Sequence, residues 1–226
     1  RIDWLFQALL YPIYQRGGLP ALIWLRSASL LSGAALVAFL LRRRAPAESW
    51  LLIMLVATIW SYSISLRPAA ASLLLTALWV TLLELSRQGK QRWLWVLPPL
   101  MCFWFNLHVA GLAGILLLGL YALGHTLERA RERLKPDWIW WKVLVLSFLA
   151  TFLNPQGWKT VHYPIHFLFV RSPWRDIILE VQPPQWSTPG TWQARLLLAL
   201  SLVGAAQAWK RREITPLLVT LVSGYL

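Results

Sequence analysis

Long apolar stretches separated by clusters of lysine and arginine dominate this chain of 226 residues. Four basic clusters hold 13 of its 22 basic residues: Arg42, Arg43 and Arg44; Arg87, Lys90 and Arg92; Arg129, Arg131, Arg133 and Lys135; Lys210, Arg211 and Arg212. Cytoplasmic loops of membrane proteins collect Lys and Arg, so such clusters orient the chain across a bilayer. This pattern constrains the fold more than any other feature of the sequence.

The composition agrees with a membrane protein. Hydrophobic residues make up 58% of the chain and charged residues only 14%, against about 45–50% and about 25% in soluble domains. A net charge of +13 is also found in proteins that bind nucleic acid, but nucleic-acid binding needs the charge on a soluble face. We therefore expect a lipid bilayer and no nucleic acid. The lone Cys102 excludes a disulfide framework and a cysteine metal site.

A helix needs about 20 apolar residues to cross the bilayer core. On this measure the sequence predicts an all-α, polytopic transmembrane bundle of about seven spans plus a truncated eighth that begins at Ile214. The chain is interpreted as a single transmembrane domain, residues 1–226, that is a fragment of a longer protein. The seven predicted spans are Pro20–Leu41, Glu48–Leu66, Ala69–Ser86, Trp93–Phe105, Val109–Leu127, Trp138–Leu153 and Gln193–Trp209.

The stretch Trp93–Leu127 has two interpretations, one long tilted helix or two spans joined at Asn106 and His108. We favour two spans, because a single span would place the third basic cluster outside and basic loops resist translocation. The outer face then receives an interfacial helix at residues 1–19 and a long loop at residues 154–192. Most of the 16 tryptophans lie near span ends, where indole rings serve as interfacial anchors more often than as ligand platforms.

Asp3 and a histidine pair are the most reactive groups predicted on the outer face. Asp3 precedes an amphipathic stretch, where its carboxylate would either favour a helix N-terminus or act in catalysis or ligand binding. His162 and His166 are spaced to share a helix face. Pro164 lies between them and no carboxylate accompanies them as in metalloprotease helices, so interfacial contacts are favoured over metal binding. No metal site is predicted.

Several cations and polar groups are also predicted on the outer face. Arg67 and His108 would either extend to the interface or line a wet cavity. Outward-facing guanidinium groups suit an anionic substrate such as a lipid-linked phosphate. The candidate substrate-binding residues are Arg67, Asn106, Asn154, Lys159, His162, Tyr163, Arg171 and Arg175.

Four short motifs carry a resemblance to a known superfamily: Arg67-Pro68, Asn106-Leu107-His108, Asn154-Pro155-x-Gly157 and Tyr163-Pro164. They resemble landmarks of bacterial polytopic proteins related to the C-type membrane glycosyltransferases, which use polyprenyl-phosphate-linked sugars. The chain departs from the Asn-Leu-His-Gly-Gly usual in those relatives at Val109 and Ala110. The resemblance implies an acidic active-site residue in the first outer loop, and Asp3 is the position that matches best.

The resemblance implies an integral protein of the bacterial cytoplasmic membrane, with cytoplasmic basic loops and a site facing the periplasm. It would transfer a sugar from a polyprenyl phosphate carrier to an acceptor outside the cytoplasm. Asp3 and His108 would be catalytic, and the donor lipid would make a separate cofactor unnecessary. Two alternatives stay open: a transporter or flippase of a lipid-linked or anionic solute, and a non-catalytic membrane scaffold subunit.

Overall fold

The structure, a computed structural model, describes residues 3–41, 68–169 and 192–225. These residues form eight α-helices and one 3₁₀ helix, Gln91–Val96. The α-helices are α1 (Trp4–Leu41), α2 (Pro68–Arg87), α3 (Leu97–Leu107), α4 (Gly111–Arg131), α5 (Ile139–Ala150), α6 (Trp158–Phe169), α7 (Trp192–Arg211) and α8 (Ile214–Tyr225). The described part of the chain is all-α, as predicted.

Three described helices are long and apolar enough to cross a membrane: α1, α2 and α4. We therefore describe a helical protein with three candidate membrane spans, and the prediction of seven is not supported. The predicted second span, Glu48–Leu66, lies outside the described residues, as do the first basic cluster and Arg67.

Helix length explains why the other predicted spans are not candidates. The α-helix α3 has 11 residues and α5 and α8 have 12 each, which corresponds to about 16–18 Å against a hydrocarbon core of about 30 Å. The predicted span begins at Trp93, but α3 begins only at Leu97, because Pro98 and Pro99 favour the first turn of an α-helix. The residues before Leu97 form the 3₁₀ helix instead. The helix α7 has 20 residues, but Gln193, Arg195 and Gln207 lower its apolar character.

A break at Gly18 divides α1 into two parts. Gly18 has φ 60° and ψ −157°, a conformation that only glycine adopts without strain. The break falls between the predicted interfacial helix and the first predicted span. Beyond it, Trp24 and Leu31 are largely exposed, as expected of side chains that face lipid.

The predicted outer loop at residues 154–192 contains the helix α6. Pro164 lies inside α6, where it removes one backbone donor. The rest of that predicted loop, residues 170–191, lies outside the described residues and includes Arg171 and Arg175.

The chain divides into two compact units, and α4, α5 and α6 contribute residues to both. The first unit comprises Arg1–Leu116 and Lys142–Val161. In it α2 packs against α1, the 3₁₀ helix and α3. Its core is aromatic, since Trp79 and Trp104 are fully buried and meet edge to face with ring centroids 5.8 Å apart.

The second unit comprises Leu117–Trp141 and His162–Leu226. There α7 packs against α8, and α8 approaches α4 so closely that a Cβ on Gly124 would lie 2.6 Å from the Cα of Thr215. The amide of Thr215 donates to Oε1 of Glu128 at 2.9 Å. This hydrogen bond fixes the start of α8 against the last turns of α4.

Candidate functional site

The candidate site is a group of polar side chains from Asp3, the start of α2 and the end of α3, all in the first unit. Asp3 directly precedes α1, and its backbone carbonyl accepts the amide of Gln7 at 3.4 Å. Its Oδ1 atom is buried and has no hydrogen-bond partner among the described residues. This oxygen is therefore not used to cap α1.

Burial and a neighbouring histidine act in opposite directions on Asp3. Burial raises the pKa of the Asp3 carboxyl above its ordinary value of 3.8, and the charge of His108 partly offsets this rise. The two side chains are thus electrostatic neighbours although 105 positions separate them in the sequence. A carboxylate with a raised pKa next to an imidazole is suited to accepting a proton.

His108 is held in place by the end of α3 and by a serine of α2. It caps α3 in an extended conformation, with its amide donating to the carbonyl of Trp104 at 2.8 Å. Its Nδ1 atom lies 2.8 Å from Oγ of Ser72. That oxygen also accepts the indole N–H of Trp104 at 3.0 Å. Where the serine hydroxyl donates to Nδ1, a neutral imidazole carries its proton on Nε2.

Asn106 connects three segments of the first unit. The side chain is buried, and its Oδ1 accepts the indole N–H of Trp4 at 2.9 Å. Its Nδ2 donates to the carbonyls of Cys102 and Leu153, both at 2.8 Å. These three hydrogen bonds join the first residue of α1, the end of α3 and the turn after α5.

Asn154 organises the turn between α5 and α6. Its Oδ1 accepts the amide of Gln156 and the hydroxyl of Thr160, both at 2.8 Å, and its Nδ2 donates to the carbonyl of Thr151 at 2.6 Å. Gly157 has φ 56°, which explains why glycine follows in this motif. The observed contacts of Asn154 are those of a turn residue.

An open, largely apolar groove of about 630 Å³ lies beside the polar group. Its lining includes Trp4 and Leu5, which follow Asp3, together with Phe103, Asn106 and Leu153. Two of its lining residues, Trp4 and Asn106, lie one and two positions in sequence from Asp3 and His108, respectively. Its shape and apolar walls suit a hydrocarbon chain more than a sugar.

The remaining predicted site residues are exposed or lie outside the described residues. Lys159 belongs to the first unit and is exposed, whereas His162 and Tyr163 belong to the second unit and are exposed. Arg67, Arg171 and Arg175 lie outside the described residues. Of the predicted site residues, the described structure brings Asp3 close to His108, and it places Asn106 and Asn154 together in the lining of the groove.

No metal cluster is formed by the described residues, in which no group of three His, Cys, Asp or Glu side chains is found. The rings of His162 and His166 lie 5.4 Å apart, so the predicted helical pairing of the two is present.

Two further residues that contribute to the candidate site, Ser72 and Trp104, were not predicted. A single serine in an apolar helix gives no sequence signal, because its role depends on how α2 packs against α3.

Comparison with known proteins gives no relative for this chain: no protein-family model, curated protein or solved structure matches it.

Proposed function

We propose that the chain is part of an integral membrane transferase that moves a sugar from a polyprenyl phosphate to an acceptor. The observation that carries the proposal is the Asp3 carboxylate, which is partly buried beside His108 and has a buried oxygen without a partner among the described residues. An apolar groove begins at the residues that follow it. A reactive carboxylate next to a lipid-sized groove fits a lipid-linked substrate.

In the proposed reaction Asp3 acts as general base. The acceptor hydroxyl attacks the anomeric carbon of the sugar and transfers its proton to the carboxylate, while the bond from that carbon to the phosphate oxygen breaks. Polyprenyl phosphate leaves with the electron pair of that bond, and the configuration is inverted. His108, held by Ser72, orients the acceptor or the phosphate through its Nε2–H.

The lipid and the leaving phosphate need separate partners. The groove lined by Leu5, Phe103 and Leu153 would hold the isoprenoid chain. Arg67 and Lys159, both in the first unit, are the proposed cations for the leaving phosphate, which is electrostatic stabilisation of developing charge. No group in this scheme requires a nucleotide site.

The proposal also assigns a direction across the membrane. Asp3 and His108 lie near the start of α2, which we assign to the outer side of the membrane, and the second basic cluster lies at the other end of α2. A 20-residue helix extends about 30 Å, the thickness of the hydrocarbon core. The basic clusters would be cytoplasmic and the site periplasmic, in the cytoplasmic membrane of a bacterium.

No described contact favours transport over transfer. A transporter needs polar groups available to a solute near the membrane midplane. The hydroxyls of Thr76 and Thr81, in the middle part of α2, instead donate to the carbonyls four residues earlier, at 2.8 and 2.7 Å.

The proposal is tested by sugar transfer from radiolabelled polyprenyl-phosphate mannose or arabinose in membranes that contain the full chain. Loss of a general base typically costs about 10²–10⁴-fold in rate, so Asp3→Asn should lower transfer by at least about 100-fold. Asp137→Asn is the matched control, because Asp137 also lies beside a histidine, with its Oδ2 3.6 Å from Nε2 of His125, but in the second unit.

The expected result is loss of transfer in Asp3→Asn and near wild-type transfer in Asp137→Asn. Undiminished transfer by Asp3→Asn would refute the role of Asp3. A wild-type chain that transfers neither sugar would refute the proposed activity itself.

A further inference from the structure

Two arginines in the second unit adopt a backbone conformation that normally favours glycine. Arg133 follows α4 and Arg212 follows α7, and each has φ 56°. Both helices end with the same two backbone hydrogen bonds: one amide donates to the carbonyl three residues earlier, and the next amide donates to the carbonyl five residues earlier. After α4 the amides are those of Arg133 and Leu134, which donate to Ala130 and Arg129. After α7 they are those of Arg212 and Glu213, which donate to Trp209 and Ala208.

The end of α2 shows the usual solution for the same motif. There Gly89, with φ 92°, occupies the equivalent position, and its amide donates to the carbonyl of Ser86. Glycine is preferred at this position because a Cβ strains the left-handed conformation. Arg133 and Arg212 therefore place a cationic side chain at positions where glycine would be less strained.

The two arginine-bearing ends meet at one place. Nη1 of Arg131 donates to the backbone carbonyl of Arg212 at 3.2 Å, which joins the third and fourth basic clusters. A cavity of about 380 Å³ lies at this junction. Arg131 and Arg212 line it with Trp209 and the apolar Ile214 and Leu217, and one carboxylate, Glu213, also contributes.

The composition of this cavity matches a phosphate attached to a hydrocarbon chain. Guanidinium groups bind phosphate oxygens through paired N–H donors, and the contact of Arg131 with Arg212 uses one N–H of the five that it carries. Ile214 and Leu217 offer an apolar wall beside these cations. A free phosphate ion would gain nothing from that wall.

The position of the cavity points to a lipid rather than a soluble ligand. Arg131 is the last residue of α4, a candidate membrane span, so the cavity lies where the span leaves the hydrocarbon core. The indole of Trp209 is 72% exposed there, as is typical of a membrane–water interface. Basic pockets between helices at this level bind anionic lipid headgroups.

We propose that the junction of the third and fourth basic clusters is a binding site for the phosphate headgroup of an anionic glycerophospholipid. The two guanidinium groups bind the phosphate, and the apolar residues contact the start of the acyl chains. The site lies in the second unit and does not depend on the transferase activity proposed for the first.

The left-handed arginines supply a matched pair of variants. Arg212→Gly and Arg133→Gly each remove one positive charge and relieve the same backbone strain, so both variants should fold at least as well as the wild type. Only Arg212 lines the cavity. The measurement is the apparent Tm of the full chain in detergent, titrated with phosphatidylglycerol, phosphatidylcholine or inorganic phosphate.

We expect phosphatidylglycerol to raise the Tm of the wild type and of Arg133→Gly by the same amount, and phosphatidylcholine to have a smaller effect. For Arg212→Gly the concentration of phosphatidylglycerol at half-maximal shift should rise about fivefold, the effect of removing one cation near an anionic lipid. Adding Arg131→Gln should abolish the shift.

Three results would overturn the proposal. Equal losses in Arg133→Gly and Arg212→Gly would mean that the lipid senses overall surface charge and not this cavity. An unchanged shift in the variant that combines Arg212→Gly with Arg131→Gln would place the lipid elsewhere. A full shift with inorganic phosphate alone would identify a soluble anion as the ligand.

Discussion

Replacing Asn106 with leucine should loosen the end of the first unit at which α1 begins and α3 ends. The substitution keeps the number and branching of the side-chain heavy atoms but leaves the indole N–H of Trp4 and the carbonyl of Leu153 without the partners they have at 2.9 and 2.8 Å. Interhelical hydrogen bonds in membrane proteins contribute about 0.6 kcal/mol on average and up to about 1.7 kcal/mol. Loss of two such bonds should lower the free energy of unfolding by about 1–3 kcal/mol.

The assay is unfolding by SDS in mixed micelles, followed by helical circular dichroism. Trp4→Phe completes a double-mutant cycle, because it removes the N–H that Asn106 accepts, while the packing lost with the smaller ring is common to both backgrounds and cancels. The coupling energy between the two positions should be about 0.6–1.7 kcal/mol. The hydrogen bond between α1 and α3 would then be measured apart from the other two bonds of Asn106.

A coupling energy below about 0.3 kcal/mol, which is within the scatter for independent sites, would refute this reasoning. It would mean that Trp4 and Asn106 do not stabilise each other. The groove that they line together would then lose its structural basis.

Three further predictions concern stability, measured as the apparent Tm in detergent. Because burial raises the pKa of Asp3, its contribution to stability is present below pH 3.8 and is lost as the pH rises through the raised folded-state pKa. Asp3→Asn should therefore raise the Tm near neutral pH but not below pH 3.8. Gly124→Ala should cost about 1–3 kcal/mol by forcing Thr215 away, whereas Gly119→Ala, with open space around it, should be neutral or stabilising. Gly18→Ala should cost about 1–3 kcal/mol, because alanine is strained at φ 60° and ψ −157°.

Each of these predictions has a result that contradicts it. A gain at Asp3→Asn that does not depend on pH would mean that the carboxylate is not destabilised by burial. An equal loss of Tm in Gly124→Ala and Gly119→Ala would mean that the substitutions affect α4 itself and not its contact with α8. An unchanged Tm for Gly18→Ala would mean that the break in α1 does not require glycine.

The shared location of Asp3 and His108 could be predicted from the sequence, because it depends only on which side of the membrane each residue is expected to face. Basic clusters fixed the expected direction of each stretch, so Asp3 and His108 were expected on one face, and their electrostatic proximity agrees with that expectation. Ser72 and Trp104 could not be predicted, since their hydrogen bonds with each other and with His108 follow from side-chain packing. Nothing in an apolar stretch distinguishes such a serine.

The number of spans was predicted too high for a related reason. A run of apolar residues shows that a segment is apolar, whereas a membrane span must also be one uninterrupted helix of sufficient length. Pro98 and Pro99 shorten α3, and polar residues lower the mean hydropathy of α7. The opposite error occurred at Pro164, which lies within α6 although proline usually ends a helix.

Photo-crosslinking in the groove is the most direct test of the claim that the first unit binds a lipid-linked substrate beside Asp3. A photoreactive phenylalanine analogue replaces either Phe103, which lines the groove, or Val145, which is exposed in the same unit but does not line it. Labelled polyprenyl-phosphate sugar should cross-link at position 103 and be displaced by excess unlabelled donor. Equal labelling at 103 and 145, or labelling that unlabelled donor does not reduce, would contradict the claim.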